Sequence, residues 1–237
     1  MRLLVLWDVD YTLVKADGVG IRLYRKALAE MYGLELPSLT RSFGGRTDTA
    51  IALEVLSVAG VPDPAGQVVP FQAFMSARSA ELAAEMREHG VVLPGAAEAL
   101  AALAAAQQRG EVVQSLLTGN LPELAEVKVA TLGLTDHLDL TIGAYGDVSA
   151  VRADLVDVAR RNAAARHGHD FGGRATVLVG DTPSDVEAAL ATGASAVGVA
   201  SGSFNVTELT QAGAHVVLPD LADTDAVVAA IRRAATA

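Results

Sequence analysis

Residues 3–12 read LLVLWDVDYT, an apolar run that ends in two aspartates, Asp8 and Asp10. A short run that is apolar at every position is typical of a strand buried on both faces of a parallel sheet. Two carboxylates two positions apart, where that strand ends, can share one ligand. A calcium loop of the EF-hand type is excluded, because Leu13 stands where that loop needs glycine and Val19 where it needs glutamate. The stretch therefore predicts a buried first strand with a polar site at its end.

Five further apolar runs follow the first, and helical patterns separate them. The expected strands are 3–7, 112–117, 138–142, 176–179, 195–199 and 215–218; the expected helices are 95–108, 121–132, 150–167, 183–192, 205–212 and 224–235. Strands that alternate with helices predict an α/β fold with a doubly wound, mostly parallel sheet, in a three-layer Rossmann-like core. Such folds bind ligands at the carboxyl ends of the strands, and we expect the chemistry there.

The interval after the first strand departs from this pattern. Helical patterns occupy 19–31, 47–59 and 67–88, without a convincing buried strand. A helical block inserted into the α/β unit fits this interval best. We therefore expect an α/β catalytic core of residues 1–13 and 91–237 and a helical domain of residues 14–90.

Composition excludes several classes of protein. The chain has 237 residues, no cysteine, and 28 acidic against 18 basic side chains, a net charge of −10. Disulfides, thiol catalysis and thiolate metal sites are therefore excluded, and the acidic balance argues against nucleic-acid binding. No apolar run is long enough to span a membrane or to form a signal-peptide core. We expect a cytoplasmic protein with neither a nucleic-acid nor a membrane partner, while its oligomeric state cannot be read from the sequence.

The expected strand 112–117 ends in Thr118, Gly119 and Asn120. A hydroxyl and free backbone N–H groups at this place suit a phosphate. Thr118 or Asn120 would equally well serve as the N-cap of the following helix. This motif by itself leaves both interpretations open.

The expected strand 176–179 runs into Asp181, and Asp185 follows in the first turn of the next helix. An acidic residue at a helix N-terminus is ordinary dipole chemistry, so Asp185 alone proves nothing. With Asp8 and Asp10, however, four carboxylates would meet at one edge of the sheet. Oxygen ligands without cysteine or histidine favour Mg²⁺.

The three motifs D-V-D-Y-T (8–12), L-L-T-G-N (116–120) and V-G-D-T-P-S-D (179–185) together resemble the haloacid dehalogenase superfamily of aspartate-nucleophile hydrolases. The resemblance covers nearly the whole chain. The inserted helices are similar in place and character to the cap domain of its phosphoglycolate-phosphatase-like members. The resemblance implies a Mg²⁺-dependent phosphatase with a mobile cap. Its substrate would be a small phosphomonoester, that is, a phosphorylated metabolite.

The resemblance also implies a role for each residue of the motifs. Asp8 would be the nucleophile that forms an aspartyl-phosphate, and Asp10 the general acid and base. Thr118 would hydrogen-bond a phosphoryl oxygen, with backbone amides of Gly119 and Asn120 beside it.

The metal ligands follow from the same resemblance. Asp181, Asp8 and the Asp10 carbonyl would hold Mg²⁺, and Asp185 would orient a metal-bound water or the lysine of the site.

The phosphoryl-contacting cation departs from the commonest pattern of the family. Many relatives carry Lys-Pro before the helix that precedes the last acidic motif, and this chain has no lysine there. Lys128 lies ten residues after Thr118, where some subgroups place their lysine. We favour Lys128 over Arg152, and expect Arg152 to be a surface residue or a salt-bridge partner.

The turn G-G-R-T-D (44–48) resembles a turn of similar caps. Arg46 is a candidate to reach the substrate when the cap closes. Thr47 or Asp48 would cap the following helix, and the two interpretations are compatible. Tyr11 is a further candidate for substrate contact.

Other activities of the same superfamily compete with the phosphatase interpretation. Dehalogenases of the superfamily lack the second aspartate, which this chain has as Asp10, and a phosphonatase would need a Schiff-base lysine. Neither Lys15 nor Lys26 has an evident apolar pocket to lower its pKa. A phosphosugar mutase uses the same aspartate pair and stays open. A phospho-accepting signalling module is the alternative of a different class, but its acidic pair is normally adjacent and no helical insertion is expected.

Overall fold

The computed structural model describes residues 2–16, 18–39 and 42–236. Its strands are β1 Leu3–Trp7, β2 Val14–Lys15, β3 Val91–Val92, β4 Val112–Leu116, β5 Thr176–Gly180, β6 Ser195–Val199 and β7 Val216–Leu218. Five of them form a parallel sheet in the order β4-β1-β5-β6-β7, and β2 pairs with β3 in an antiparallel ribbon. The expected doubly wound parallel sheet is thereby confirmed.

The helices are α1 Val19–Tyr32, α2 Asp48–Val58, α3 Pro64–Ser76, α4 Ala83–His89, α5 Ala96–Ala102, α6 Ala104–Gln108, α7 Pro122–Thr131, α8 Arg152–His167, α9 Pro183–Ala191, α10 Val206–Gln211 and α11 Thr224–Ala234. Short 3₁₀ helices occupy Ser79–Leu82, Leu140–Ile142 and Gly173–Ala175. None of the described helices is both long and apolar enough to cross a membrane.

Strand β1 lies at the centre of the three layers, and all its side chains are buried. Val5 and Trp7 face the core beneath α5, α6, α7 and α11. Leu4 and Leu6 face the opposite core beneath α8, α9 and α10. The continuous apolar run predicted this arrangement, because successive strand residues point to opposite faces of the sheet.

The expected strand 138–142 is wrong, since the chain forms a 3₁₀ helix at Leu140–Ile142 instead. The Asp139 N–H donates to the Gln114 carbonyl, and the Ala144 N–H donates to the Leu116 carbonyl. The two donors are thus five positions apart in the chain, whereas their acceptors are two positions apart on β4. The surplus bulges into a turn, which the Asp139 carboxylate caps by accepting from the Thr141 N–H.

Two helices predicted as continuous are interrupted. The segment 95–108 divides into α5 and α6 at Leu103, and 67–88 falls within α3, a 3₁₀ turn and α4. Near the second break the Ser79 hydroxyl donates to the Met75 carbonyl at 3.1 Å. Such local bonds compete with the regular helix ladder. The other predicted helices agree with the structure to within about two residues at each end.

Helices α1 to α4 bury an apolar core of their own, to which Leu124 of the sheet-covering helix α7 and Leu121, directly before that helix, contribute. The ribbon of β2 and β3 pairs Val14 with Val92. The segment that leads from the sheet into helices α1 to α4 is therefore paired with the segment that leads back. The predicted boundaries at residues 13/14 and 90/91 fall at this ribbon. They stay a prediction of domain division.

Candidate active site

A cavity of about 270 Å³ lies at the carboxyl edge of the sheet, between the ends of β1, β4 and β5 and the helical insertion. Nearly all the candidate residues of the sequence line it: Asp8, Asp10, Arg46, Thr118, Gly119, Asn120, Lys128, Arg152 and Asp181. Asp185 lies behind this lining. The topology brings the three motifs together because parallel strands present their carboxyl ends at one edge.

Three of the four predicted carboxylates form one buried cluster. Oxygen atoms of Asp8, Asp181 and Asp185 lie within 4.8 Å of one another. Asp8 follows β1, and its N–H donates to the Val179 carbonyl, which ties the end of β1 to β5. The carboxylate of Asp10 lies outside this cluster but lines the same cavity. Of the four carboxylates predicted to meet at one edge of the sheet, three therefore form the cluster and the fourth lies apart from it.

Arg152, at the start of α8, is 8% exposed and reaches into the carboxylate cluster. Its Nη2 lies 2.9 Å from Asp8 Oδ1 and 2.6 Å from Asp185 Oδ1. The expectation of a surface residue is wrong, while that of a salt-bridge partner is confirmed. The arginine is buried because a guanidinium can be desolvated when carboxylates pair with it on two sides.

Asp185 holds this arginine in place rather than facing the cavity. Its Oδ2 accepts from the Thr182 N–H and hydroxyl in a capping box at the start of α9, and its Oδ1 accepts from Arg152. Both oxygens are therefore engaged within the protein. A capping box needs its acid at the third helical position, so local helix chemistry fixes the orientation of the carboxylate.

Electrostatics in the cluster disfavour ionised carboxylates. Burial raises the pKa of Asp8 to about 7, with Arg152 opposing the rise and Asp185 and Asp10 adding to it. Burial raises the pKa of Asp181 to about 9, and the charges of Asp8 and Asp185 reinforce this effect. Burial acts to lower the pKa of the Arg152 guanidinium, but the charges of Asp185 and Asp8 outweigh this effect and raise its pKa.

The donor set and its charge suit a divalent cation. Three buried carboxylates face one arginine, so their full ionisation would leave an excess of two negative charges, which a divalent cation would balance. In the described part of the chain the only side chain that donates to Asp181 is Thr12, at 3.4 Å. A nearly unpartnered buried carboxylate in an all-oxygen set is the chemistry that Mg²⁺ requires. Asp8 and Asp181 are candidates to hold it, and Asp185 contributes an oxygen to the same cluster.

Asp10 is held by a second, separate pair of side chains. Lys128 Nζ lies 2.7 and 2.6 Å from its two carboxylate oxygens, and the Asn120 amide donates to Oδ2 at 2.7 Å. The Asn120 Oδ1 in turn accepts from Lys128 at 2.8 Å. Lys128, the cation that the sequence favoured for the phosphoryl contact, therefore contacts Asp10, whereas Arg152 contacts Asp8.

The loop after β4 presents donors to the cavity. The Thr118 hydroxyl oxygen accepts from the N–H and the side-chain amide of Asn120, at 3.3 and 2.8 Å. Its own hydrogen has no acceptor among the described residues and is left to donate. The Asn120 amide is committed to Asp10, Thr118 and Lys128, which makes it a positioning group for the neighbouring side chains.

The insertion contacts this loop through Asp48, a role that the sequence interpretation missed. The Asp48 N–H donates to the Gly119 carbonyl at 2.7 Å, and its Oδ2 accepts from the Leu121 N–H at 2.7 Å. Its Oδ1 accepts from the Tyr24 hydroxyl. Burial raises the pKa of Asp48 to about 6. The sequence showed only a helix-capping acid here; Thr47 provides the side-chain cap of α2.

Replacing Asp48 by alanine should leave the buried Leu121 N–H without an acceptor and the Tyr24 hydroxyl with only the backbone carbonyl of residue 48, at 3.4 Å. An unpaired buried donor costs about 1–3 kcal/mol, and we expect a loss of that order in the free energy of unfolding. Urea unfolding measures it. Asp48→Asn is the matched control, because its amide can accept from Leu121 and donate to Tyr24; equal losses in both variants would contradict this role.

Arg46 lines the cavity but is paired within the insertion. Its Nη2 lies 2.6 Å from Glu54 Oε2 and donates to the Ala50 carbonyl, while its Nη1 is buried without a partner. One donor of Arg46 is thus left for a ligand. Direct substrate contact by this residue stays a prediction.

Tyr11 has a backbone conformation that is rare for residues other than glycine, with φ of 59°. The left-handed region costs an L-residue about 1–2 kcal/mol. The Tyr11 N–H donates to the Val14 carbonyl, and its own carbonyl accepts from the Ser201 hydroxyl. These bonds hold the side chain on the wall of the cavity, immediately after Asp10.

The fold and the cavity define an α/β protein with aspartates at the end of its first strand, where the neighbouring strands β4 and β5 also end. The sequence profile of the haloacid dehalogenase-like hydrolases matches residues 5–190. The chain belongs to this family of hydrolases, which confirms the resemblance drawn from its three motifs.

Several solved structures share the fold over nearly their whole length. A predicted phosphatase from Clostridium acetobutylicum is 16% identical, with a TM-score of 0.67 over 97% of this chain and 99% of that one. CbbY from Rhodobacter sphaeroides, in complex with xylulose-(1,5)bisphosphate, is 18% identical, with a TM-score of 0.67 over 94% and 96%. β-Phosphoglucomutase from Clostridium difficile is 12% identical, with a TM-score of 0.68 over 98% of both chains. No protein with a curated description matches the sequence.

Proposed function

We propose that this hydrolase is a Mg²⁺-dependent phosphatase that hydrolyses a small phosphomonoester through an aspartyl-phosphate intermediate. The observation that carries the proposal is the placement of Asp8 between Arg152 and Asp181 in a cavity that Asp10 also lines. A nucleophile, a cation for the phosphoryl group and an acid–base residue then face one small space. Phosphoryl transfer asks the protein for this positioning and charge stabilisation above all.

The proposed reaction has two steps. An Asp8 oxygen attacks phosphorus, the bond to the leaving oxygen breaks, and Asp10 gives its proton to the departing alkoxide, which leaves as an alcohol. Water then attacks the aspartyl-phosphate and gives a proton to Asp10. The bond between phosphorus and Asp8 breaks, inorganic phosphate leaves, and both aspartates return to their first state.

The surrounding residues orient these groups. Arg152 Nη2 bonds to Asp8 Oδ1, so the guanidinium stands where a phosphoryl oxygen would arrive. Lys128 and Asn120 fix the carboxylate of Asp10, and the Thr118 hydroxyl is left to donate to the phosphoryl group. We therefore assign the phosphoryl-contacting role to Arg152 and a positioning role to Lys128.

Mg²⁺ held by Asp8 and Asp181 would offset the repulsion between the carboxylate and the anionic phosphate. Asp185 fixes Arg152 through its Oδ1, and this oxygen keeps a second lone pair for the ion. The helical insertion would act as the cap, since Asp48 and Arg46 bring it against the loop of Thr118 and Gly119.

A phosphosugar mutase is the second candidate, because the Clostridium difficile β-phosphoglucomutase has the same overall fold. A mutase passes the phosphoryl group from its aspartate to a sugar instead of to water. Release of inorganic phosphate from an aryl phosphate, without a sugar bisphosphate activator, would support the phosphatase. A strict requirement for such an activator would favour the mutase.

Chelation by EDTA should abolish the hydrolysis of p-nitrophenyl phosphate, and added Mg²⁺ should restore it. Independently of turnover, Mg²⁺ should raise the melting temperature, because an ion that binds only the folded state stabilises it by mass action. Asp181→Asn should lose this thermal shift. Asp220→Asn, at an exposed position, is the matched control; a shift that persists in Asp181→Asn would place the ion elsewhere.

A further inference from the structure

The part of the cavity lining that the helical insertion and α7 supply, here called the apolar half, has a largely apolar wall. Its hydrocarbon and ring surface comes from both parts of the chain, beside four glycines, Arg46 and Asp48: Ala16, Ile21, Phe43, Ile51 and Leu124, with Tyr11 and Tyr24. The rings of Tyr24 and Phe43 pack against each other with centroids 5.4 Å apart. In the proposed reaction this half receives the alcohol portion of the substrate.

Polar atoms in this wall are already engaged with one another. Asp48 accepts from Tyr24 and from the Leu121 N–H, so its carboxylate is fully committed. Arg46 is neutralised by Glu54, and one of its nitrogens, Nη1, is left without a partner. Among the described side chains of this half, the buried Arg46 Nη1 is therefore the one donor without a partner, and no charge is unpaired.

The strained position of Tyr11 supplies part of the same wall. Glycine would relieve the backbone at φ 59°, yet this chain places a large aromatic side chain there. A strained conformation at a ligand site is a reason to look for a role of the side chain. Here the tyrosine ring adds apolar surface beside Asp10, where the leaving group departs.

The cavity is also small. Its volume of about 270 Å³ must hold the phosphoryl group as well as the alcohol portion, and typical ligand pockets measure about 300–1,000 Å³. A compact alcohol fits this space better than a hexose.

From this wall we infer that the enzyme prefers phosphomonoesters of small, largely hydrocarbon alcohols over those of polyhydroxylated alcohols such as sugars. This inference rests on the proposed phosphatase function. Each hydroxyl of a polyol would leave water for a wall whose side chains are mostly hydrocarbon, and burial of a polar group without a partner costs free energy. A hydrocarbon chain gains from the same burial.

The test uses a pair of substrates that differ by two hydroxyls only, propyl phosphate and sn-glycerol 3-phosphate, in the presence of Mg²⁺. We expect kcat/KM to favour propyl phosphate by about 10-fold or more, within the range by which an apolar pocket rejects an added hydroxyl. Calorimetry with propylphosphonate and 2,3-dihydroxypropylphosphonate measures the same preference without turnover, because the bond between carbon and phosphorus is not hydrolysed.

Ile51→Thr places a hydroxyl in the wall and should reduce the preference several-fold. Leu53→Thr is the matched control on the same helix, at an exposed position outside the cavity, and should leave the preference unchanged. An equal or reversed preference in both assays overturns the inference while the phosphatase function stands. Tighter binding of propylphosphonate, without hydrolysis of any phosphomonoester, would contradict the phosphatase function and support the apolar pocket. If neither phosphonate binds, the inference is wrong.

Discussion

Asp8→Asn should lower kcat for p-nitrophenyl phosphate by at least about 10³-fold, since loss of a covalent nucleophile costs up to about 10⁶-fold in enzymes of this kind of mechanism. The amide keeps the shape of the side chain but cannot attack phosphorus. Steady-state kinetics at saturating Mg²⁺ measure the loss. Turnover close to that of the unsubstituted chain would mean that Asp8 is not the nucleophile.

Stability separates this chemical loss from unfolding. The pKa of Asp8 in the folded protein is about 7, above the ordinary value of 3.8, so its contribution to stability is lost as the pH rises through 7. At pH 8 without metal the unsubstituted chain carries the cost of a buried carboxylate, and the asparagine variant does not. We therefore expect Asp8→Asn to melt no lower than the unsubstituted chain under these conditions. A large drop in its melting temperature would contradict this electrostatic picture.

Arg152→Ala should damage both stability and catalysis. It leaves the carboxylates of Asp8, Asp181 and Asp185 without their cation. Breaking a buried ion pair from one side costs about 3–5 kcal/mol, and loss of one donor to a developing charge costs about 10²- to 10³-fold in kcat. Urea unfolding and steady-state kinetics measure the two effects, and Arg152→Lys should recover part of each.

Arg160→Ala is the matched control on the same helix. Arg160 donates to the Thr176 hydroxyl and to the carbonyls of Thr192 and Gly173, away from the cavity. Its loss should lower stability and leave kcat nearly unchanged. Comparison with Lys128→Ala then decides the cation: a far greater loss of kcat/KM in Lys128→Ala than in Arg152→Ala would return the phosphoryl contact to Lys128.

The order of motifs along the chain sufficed to predict where most candidate groups gather. Asp8, Thr118 and Asp181 each follow a strand whose residues are all apolar or buried, and parallel pairing places those ends side by side. The sequence failed at 138–142 because strand and turn look alike when an apolar run is short. The 3₁₀ helix there follows from tertiary contacts: Asp139 and Ala144 bond to acceptors only two positions apart on β4, so the chain between them must turn.

The sequence by itself determined the α/β architecture, the inserted helices and the residue types at the strand ends, because these depend on local periodicity and on rules of parallel connection. Which cation meets which carboxylate was decided by the tertiary structure alone. Lys128 and Arg152 both come from helices beside the same edge, and their reach depends on how α7 and α8 pack against the sheet. The contacts of Asp48 depend likewise on how the insertion docks. Such pairings join residues far apart in the chain, and no local pattern encodes the distance between them.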